Sequence, residues 1–262
     1  MPSSLLVLVP PSEAKTPGGT KRTSVGPFDD ALQGDRRRVV AALIAALDEA
    51  TTRRQEIMLN ARGPLLERAL EATRQLSGEN VPRLAAWQRY SGVVWSHLAP
   101  VSLAPTMRRR IIIPSSLYGL TTAEERIADF RLKMNVGVAP LGTMSTFWRP
   151  RVTPTLIAHA KRSTIVNLLP LEHEAALDMD EVRNTRRVVD IQFIDGVGGT
   201  TVGHDAKAVK GVLARTLLVE GPGALANFGW QGWRSVPFED GFQIVSPAQR
   251  SLEGWVTKRK KV

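Results

Sequence analysis

Leu5-Leu6-Val7-Leu8-Val9-Pro10-Pro11-Ser12-Glu13-Ala14-Lys15-Thr16 is the stretch that sets the fold. Five apolar residues in a row, without alternation, read as a strand buried on both faces. Pro10-Pro11 stops it, because proline has no N–H to give to a ladder. Polar residues delivered at the end of a buried strand arrive at a sheet edge, where ligands commonly sit. There Lys15, with Ser12 and Thr16, suits phosphate as a point charge flanked by hydroxyl donors. The glycine spacing of a P-loop is missing before Lys15, and a plain surface turn has the same composition.

Working outward, residues 16–28 are rich in Gly, Pro, Thr and charge and predict a loop. Asp35 is expected to cap a helix with Val39, Val40, Leu43, Ile44 and Leu47 on its apolar face. Gly63-Pro64 opens a second helix, with Leu65, Leu66, Ala69 and Leu70 inward. Ile111-Ile112-Ile113 marks a short central strand within residues 110–116. Residues 121–130 are predicted helical, because Thr122 and Glu125 stand at capping-box spacing. Arg131 and Lys133 alternate after Phe130 as on a half-exposed strand. A helix is expected over residues 141–160, interrupted near Pro150 and Pro154, and a strand over 164–168. Residues 187–194 and 200–204 are expected to form a hairpin through Asp195-Gly196-Val197-Gly198-Gly199, followed by a helix over 205–219.

Strands and helices mix without a strict βαβ rhythm. That predicts an α+β fold, a single domain with a mixed β-sheet flanked by helices, rather than a Rossmann fold or a TIM barrel. The domain is expected over residues 1–246, with 247–262 as a basic C-terminal tail ending in Lys258-Arg259-Lys260-Lys261.

The 262 residues carry 35 Lys and Arg against 25 Asp and Glu, a formal net charge of +10. Such an excess favours anionic partners, nucleic acid or nucleotide first, although a merely soluble basic surface has the same balance. Without cysteine there are no disulfides, thiol nucleophiles or thiolate metal sites. No apolar run approaches the roughly 18 residues of a membrane span. A cytoplasmic location without a membrane partner is the expectation. His97, His159, His173 and His204 are scattered without metal-ligand spacing, so neither metal nor cofactor is expected.

The strongest local anomaly is His204-Asp205-Ala206-Lys207-Ala208-Val209-Lys210-Gly211. Asp205 is a good helix cap, yet Lys207 and Lys210 follow in the first turns, where the helix dipole disfavours cations. Their i,i+3 spacing puts them on one face, continued by Gly211 and Ala214. Lysines beside small residues at a helix start suit an anion approaching the backbone closely, or else simply a solvated face. His204 is the histidine best placed for acid/base work, with a packing role as the other reading. Asn167 ends a buried strand, where its amide needs partners from a loop or a ligand. Tyr118 either stacks on a base or closes the core.

Several of these stretches resemble the YaaA peroxide-stress family. They are residues 6–16, Tyr90-Ser91-Gly92-Val93-Val94-Trp95, Ser116-Leu117-Tyr118-Gly119-Leu120 and Phe130-Arg131-Leu132-Lys133-Met134. Phe147-Trp148, Ile165-Val166-Asn167-Leu168, Lys207-Ala208-Val209-Lys210-Gly211 and Phe228-Gly229-Trp230 complete the set, covering roughly residues 5 to 240. The resemblance implies a single mixed α/β domain, protection against peroxide stress and binding of double-stranded DNA through a positively charged cleft. It also implies a helix-hairpin-helix-like element, which the helix pair over residues 56–76 would supply. Lys15, Arg131, Asn167, Lys207 and Lys210 are the polar motif positions it points to. Ser116 stands where the family usually has glycine, and Gly203-His204-Asp205 also departs from its pattern.

Two principal functions follow from the sequence. One is a nucleic-acid-binding stress protein, with Ser12, Lys15, Arg131, Asn167, Lys207 and Lys210 holding phosphate. The other is an enzyme acting on a nucleotide or nucleoside, for instance at its N-glycosidic bond, with His204 or Asp205 moving a proton and Tyr118 facing the base. An interaction protein with a vestigial pocket is a third.

Overall fold

The structure is a computed structural model that describes residues 5–78, 80–196 and 206–247. Its strands are β1 (Leu5–Leu8), β2 (Arg83–Ala85), β3 (Ile111–Ser115), β4 (Gly119–Thr122), β5 (Arg126–Ala128) and β6 (Gly137–Val138), then β7 (Gly142–Thr143), β8 (Thr164–Asn167), β9 (Val188–Ile194), β10 (Gly229–Trp230), β11 (Trp233–Phe238) and β12 (Gly241–Val245). Its helices are α1 (Asp29–Asp48), α2 (Thr52–Leu59), α3 (Pro64–Gln75), α4 (Ala86–Arg89) and α5 (Val93–Leu98), then α6 (Pro105–Arg108), α7 (Met144–Ala160), α8 (Leu171–Glu174), α9 (Met179–Thr185) and α10 (Ala206–Glu220).

Eight strands form one mixed sheet in the order β10-β11-β12-β9-β8-β1-β3-β4. β1 pairs in parallel with β8 on one side (Leu5↔Thr164 to Leu8↔Asn167) and with β3 on the other (Val7↔Ile111). The unbroken apolar run of β1 follows from this central position, since all four of its residues are buried. Antiparallel β4 and β11 lie toward the two margins. Helices pack around the sheet, and its core runs from Leu5 to Ile244 in one cluster. The fold is the single-domain α+β arrangement that the mixed pattern predicts.

Local readings fail in four places. The predicted helix over 121–130 is instead β4, a turn and β5. Glu125 does accept from the Thr122 N–H (2.9 Å), as in a capping box, but the bond closes a turn between strands. Pairing of β4 with β3 (Ile112↔Thr122, Ser115↔Gly119) outweighs the local signal. Asp35 caps nothing, because α1 starts six residues earlier; its carboxylate pairs with Arg38 and Arg151 instead. α7 runs straight through Pro150 and Pro154. Its buried Trp148, Val152 and Leu156 hold both halves to the core, enough to outweigh the local cost of two prolines. Arg131 and Lys133 lie in irregular chain rather than a strand.

Small residues in α10 serve helix packing. Gly211 is buried against α5, and a Cβ there would stand 2.8 Å from His97 Cβ and 2.9 Å from the Leu98 nitrogen. Part of the expected 187–204 hairpin, including residues 200–204, lies outside the described residues, as does the tail beyond residue 247.

Candidate functional site

The connection from β1 leads to β3 on one flank, while β8 on its other flank leads to β9. Strands whose connections part in this way leave a crevice at their carboxyl ends, where open α/β sheets bind ligands. Three loops converge there: residues 10–16 after β1, Ser115-Ser116 at the end of β3, and the segment from Leu168 into α8. They enclose a cavity of about 60 Å³ lined by Ser12, Glu13, Lys15, Ser115, Ser116, Lys133 and His173, among others. A second cavity of about 290 Å³ shares Glu13, Lys15 and Phe130 with it and extends to Leu65 and Arg68 of α3.

The loop after β1 is held firmly. Lys15 bridges to Tyr90, with hydrogen bonds from Thr16 N to Arg89 O (2.9 Å) and from Ser91 N to Ala14 O (3.0 Å). The buried Arg89 guanidinium donates to the carbonyls of Thr16 and Gly18. Ser12 Oγ donates to the Ser91 carbonyl. That approach requires Gly92, whose φ is +145° and where a Cβ would stand 2.6 Å from Ser12 Oγ.

Lys15 Nζ donates to the Ser12 carbonyl (2.9 Å) and lies 4.3 Å from the Phe130 ring centroid and 5.5 Å from that of Tyr90. Burial among these rings pulls its pKa down from the usual lysine value to about 7. Glu13 is the hub on the solvent side, bonded to Arg131 (3.1 Å), Lys133 (3.0 Å) and Asn60 (3.0 Å). Burial alone would raise its pKa, but the hydrogen bonds from Lys133 and Asn60 hold it below the ordinary value. Arg131 also donates to the carbonyls of Leu59 (2.9 Å) and Asn60 (3.0 Å), which ties the α2–α3 turn to the cavity.

His173, on α8, lines the opposite wall. Its Nδ1 is buried without a hydrogen-bond partner among the described residues. Burial, and then the charges of Lys210 and Lys15, lower its pKa to about 4, so the ring is neutral at pH 7. Lys210 reaches inward from α10, donates to the Leu168 carbonyl (3.1 Å) and lies 4.8 Å from the Phe193 ring centroid. Burial lowers its pKa to about 8.

Of the residues singled out from sequence, Ser12 and Lys15 line the cavity, Arg131 lines the adjoining one, and Lys210 is in the lining of neither. Lys207 is exposed, whereas Lys210 is partly buried with its ammonium on the Leu168 carbonyl. Asn167 is engaged within the protein: its amide nitrogen donates to Glu174 and Asp190, both at 2.9 Å, and its oxygen accepts from Leu169 N (3.1 Å). The Tyr118 hydroxyl accepts from Ala128 N (2.9 Å), and its ring packs edge-on against Phe130. His204 and Asp205 lie outside the described residues. Sequence reasoning passed over His173 because it has no metal-ligand spacing and its neighbours Glu172 and Glu174 diverge from it on a helix. The available signal was Pro170 soon after the end of β8, the same strand-then-proline grammar that delivers Lys15. A larger cavity of about 680 Å³ lies between α1 and the β4–β5 turn. Its polar groups engage one another, with Arg36 bound to Asp29 and Glu125.

Sheet order, parted connections and a lysine-lined cavity at the carboxyl edge define an α+β protein with a polar cavity after its first strand. The family described as Peroxide stress protein YaaA matches residues 5–237, and the chain belongs to it. A UPF0246 protein of Phocaeicola vulgatus is 29% identical over 192 residues, 64% of this chain and 75% of that one. Another, from Methylibium petroleiphilum, is 32% identical over 61% of this chain and 66% of its own length. A third, from Streptomyces coelicolor, is 26% identical over 90% of this chain and 95% of its own.

Proposed function

We propose that this protein binds duplex DNA in the cytoplasm during peroxide stress, through the α2–α3 helix pair and the Lys15 cavity beside it. One observation carries the reading. The α2–α3 turn is bound to the β1 loop through Glu13, Asn60 and Arg131, so a hairpin of helices adjoins a cationic cavity. Asn60 has left-handed φ and Gly63 a positive φ, which sets the sharp reversal between the helices. Arg53 and Arg62 project from this pair with side chains 73% and 76% exposed. The formal charge of +10 favours the same partner.

Duplex affinity must then fall steeply with salt, because bound counterions are released. Arg62→Ala is expected to weaken binding about equally across sequences and to lower the salt slope by about 1. Undamaged duplex that is not bound at low salt, or a slope that Arg62→Ala leaves untouched, counts against this surface.

A second reading, turnover of a nucleotide or nucleoside, is favoured by one further observation. A lysine whose pKa is lowered to about 7 and an uncharged histidine with a ring nitrogen unpartnered among the described residues line the same cavity. A site for phosphate alone needs neither.

A further inference from the structure

Lys15 ends at the cavity with no carboxylate bound to its amine among the described residues, held only by one carbonyl and two ring faces. Its nitrogen faces two aromatic rings and makes its hydrogen bond to a carbonyl of its own turn. Two carboxylates act on it from nearby, but Glu13 is engaged by Arg131 and Lys133, and Asp129 by Arg68 (2.6 Å). Among the described residues Lys15 therefore has no ion-pair partner. Arg131 and Arg89 act against its charge, and His173 on the facing wall is neutral. A lysine meant only to hold phosphate gains from full charge and loses by this seclusion. An amine that attacks carbon must be unprotonated, and an apolar pocket beside other cations makes it so. At pH 7 about half of Lys15 is free amine, against less than about one part in 10³ for an ordinary lysine. It also lines both cavities, so a reacting group has room on either side.

We infer that Lys15 is an amine nucleophile that condenses with the aldehyde of a phosphorylated open-chain sugar, the group exposed when a nucleotide loses its base. The phosphate part of this ligand rests on the nucleic-acid reading above; Arg68, Arg131 and Lys133 are the cations lining the cavities, and phosphate would share them with Asp129 and Glu13. In the step itself the Nζ lone pair adds to the carbonyl carbon. The proton lost from nitrogen passes to the former carbonyl oxygen, giving a carbinolamine. The C–O bond then breaks, oxygen leaves with a second proton as water, and a C=N bond remains. No oxidant or reductant is consumed. His173 Nδ1, buried on the cavity wall and unpartnered among the described residues, relays the proton.

The test is borohydride trapping, which reduces the imine to a stable secondary amine. Full-length protein is incubated in one arm with a duplex oligonucleotide carrying a single abasic site, and in another with deoxyribose 5-phosphate. Each is reduced, digested and mapped by mass spectrometry. The expected result is an adduct on Lys15 that falls to background in Lys15→Arg, which keeps the charge but has no attacking amine. Lys21→Arg, an exposed control, should trap like the wild type. His173→Gln should slow trapping by about 10²-fold with the adduct still on Lys15. Labelling in the oligonucleotide arm alone identifies the polymer as the source of the aldehyde. Labelling by the free sugar phosphate, without affinity for undamaged duplex at low salt, keeps the lysine chemistry and removes the DNA reading. Salt-dependent duplex binding with no adduct in either arm, or with adducts only on other lysines, overturns the inference and leaves the DNA reading standing. Mapping the wild type is decisive even where a variant fails to fold.

Discussion

Replacing Lys15 by methionine should change how stability depends on pH, and the size of the change follows from its surroundings. Burial between Phe130 and Tyr90 lowers the lysine pKa from 10.5 to about 7 in the folded chain. The unfolded chain then holds this proton more tightly than the folded one between pH 7 and 10.5. Stability must rise with pH across that window, at up to about 1.4 kcal/mol per pH unit for one group. Because the folded group is half titrated at pH 7, the gain from pH 7 to pH 9 comes to about 2 kcal/mol. Lys210, lowered to about 8 by burial, adds a slope of the same sign, but it is present in both proteins and cancels in the comparison. Methionine keeps the length and the contact with the rings without a proton to lose. Urea unfolding at pH 7 and pH 9 measures the effect directly. Wild type should gain about 2 kcal/mol more than Lys15→Met between the two conditions. Equal gains in the two proteins would refute the claim that Lys15 is desolvated in the folded state.

Glu125 gives the opposite pH trend. Burial raises its pKa to about 7, against the pull of Arg36, so the folded chain holds this proton more tightly than the unfolded one from pH 4.5 to 7. This group should therefore remove about 2 kcal/mol of stability between pH 5 and 7, and Glu125→Gln should abolish that decline in denaturant titrations. Gly211→Ala forces α10 away from α5 and should cost about 1–3 kcal/mol. A melting temperature equal to that of the wild type would show that the two helices are not in such close contact.

Features confined to one segment were readable in the sequence. The run from Leu5 to Val9 announced a strand buried on both faces, and Pro10-Pro11 announced where its polar sequel would emerge. The same stretch, together with the family resemblance, pointed to Lys15, which the structure places in the wall of the cavity. Features that depend on partners far along the chain were not readable. Thr122 and Glu125 have helical spacing, but the pairing that decides their conformation comes from Ile112 and Ile113. Lys207, Lys210 and Gly211 looked like one anion-binding face. A helix presents residues to several neighbours at once, and here Gly211 serves α5 while Lys210 turns inward to the Leu168 carbonyl. The Glu13 network joins residues 47 and 118 positions apart, which no local pattern encodes.

Asn167 shows why a polar residue at a strand end beside a cavity can serve the fold itself. It ends β8 beside the cavity, yet its amide is consumed by Glu174, Asp190 and the Leu169 N–H. Glu174 is the residue next to His173 on α8, so the Asn167–Glu174 bond fixes the short helix that carries the imidazole. Asp190 is in turn held by Arg183 (2.9 Å), which extends the brace to α9. A helix of four residues cannot hold its own orientation through backbone bonds alone. The asparagine supplies that orientation from the sheet, where β8 is paired on both sides. Ser12 and Lys15 thus line the cavity, while Asn167 sets the wall they face, and the spacing between Lys15 and His173 depends on both.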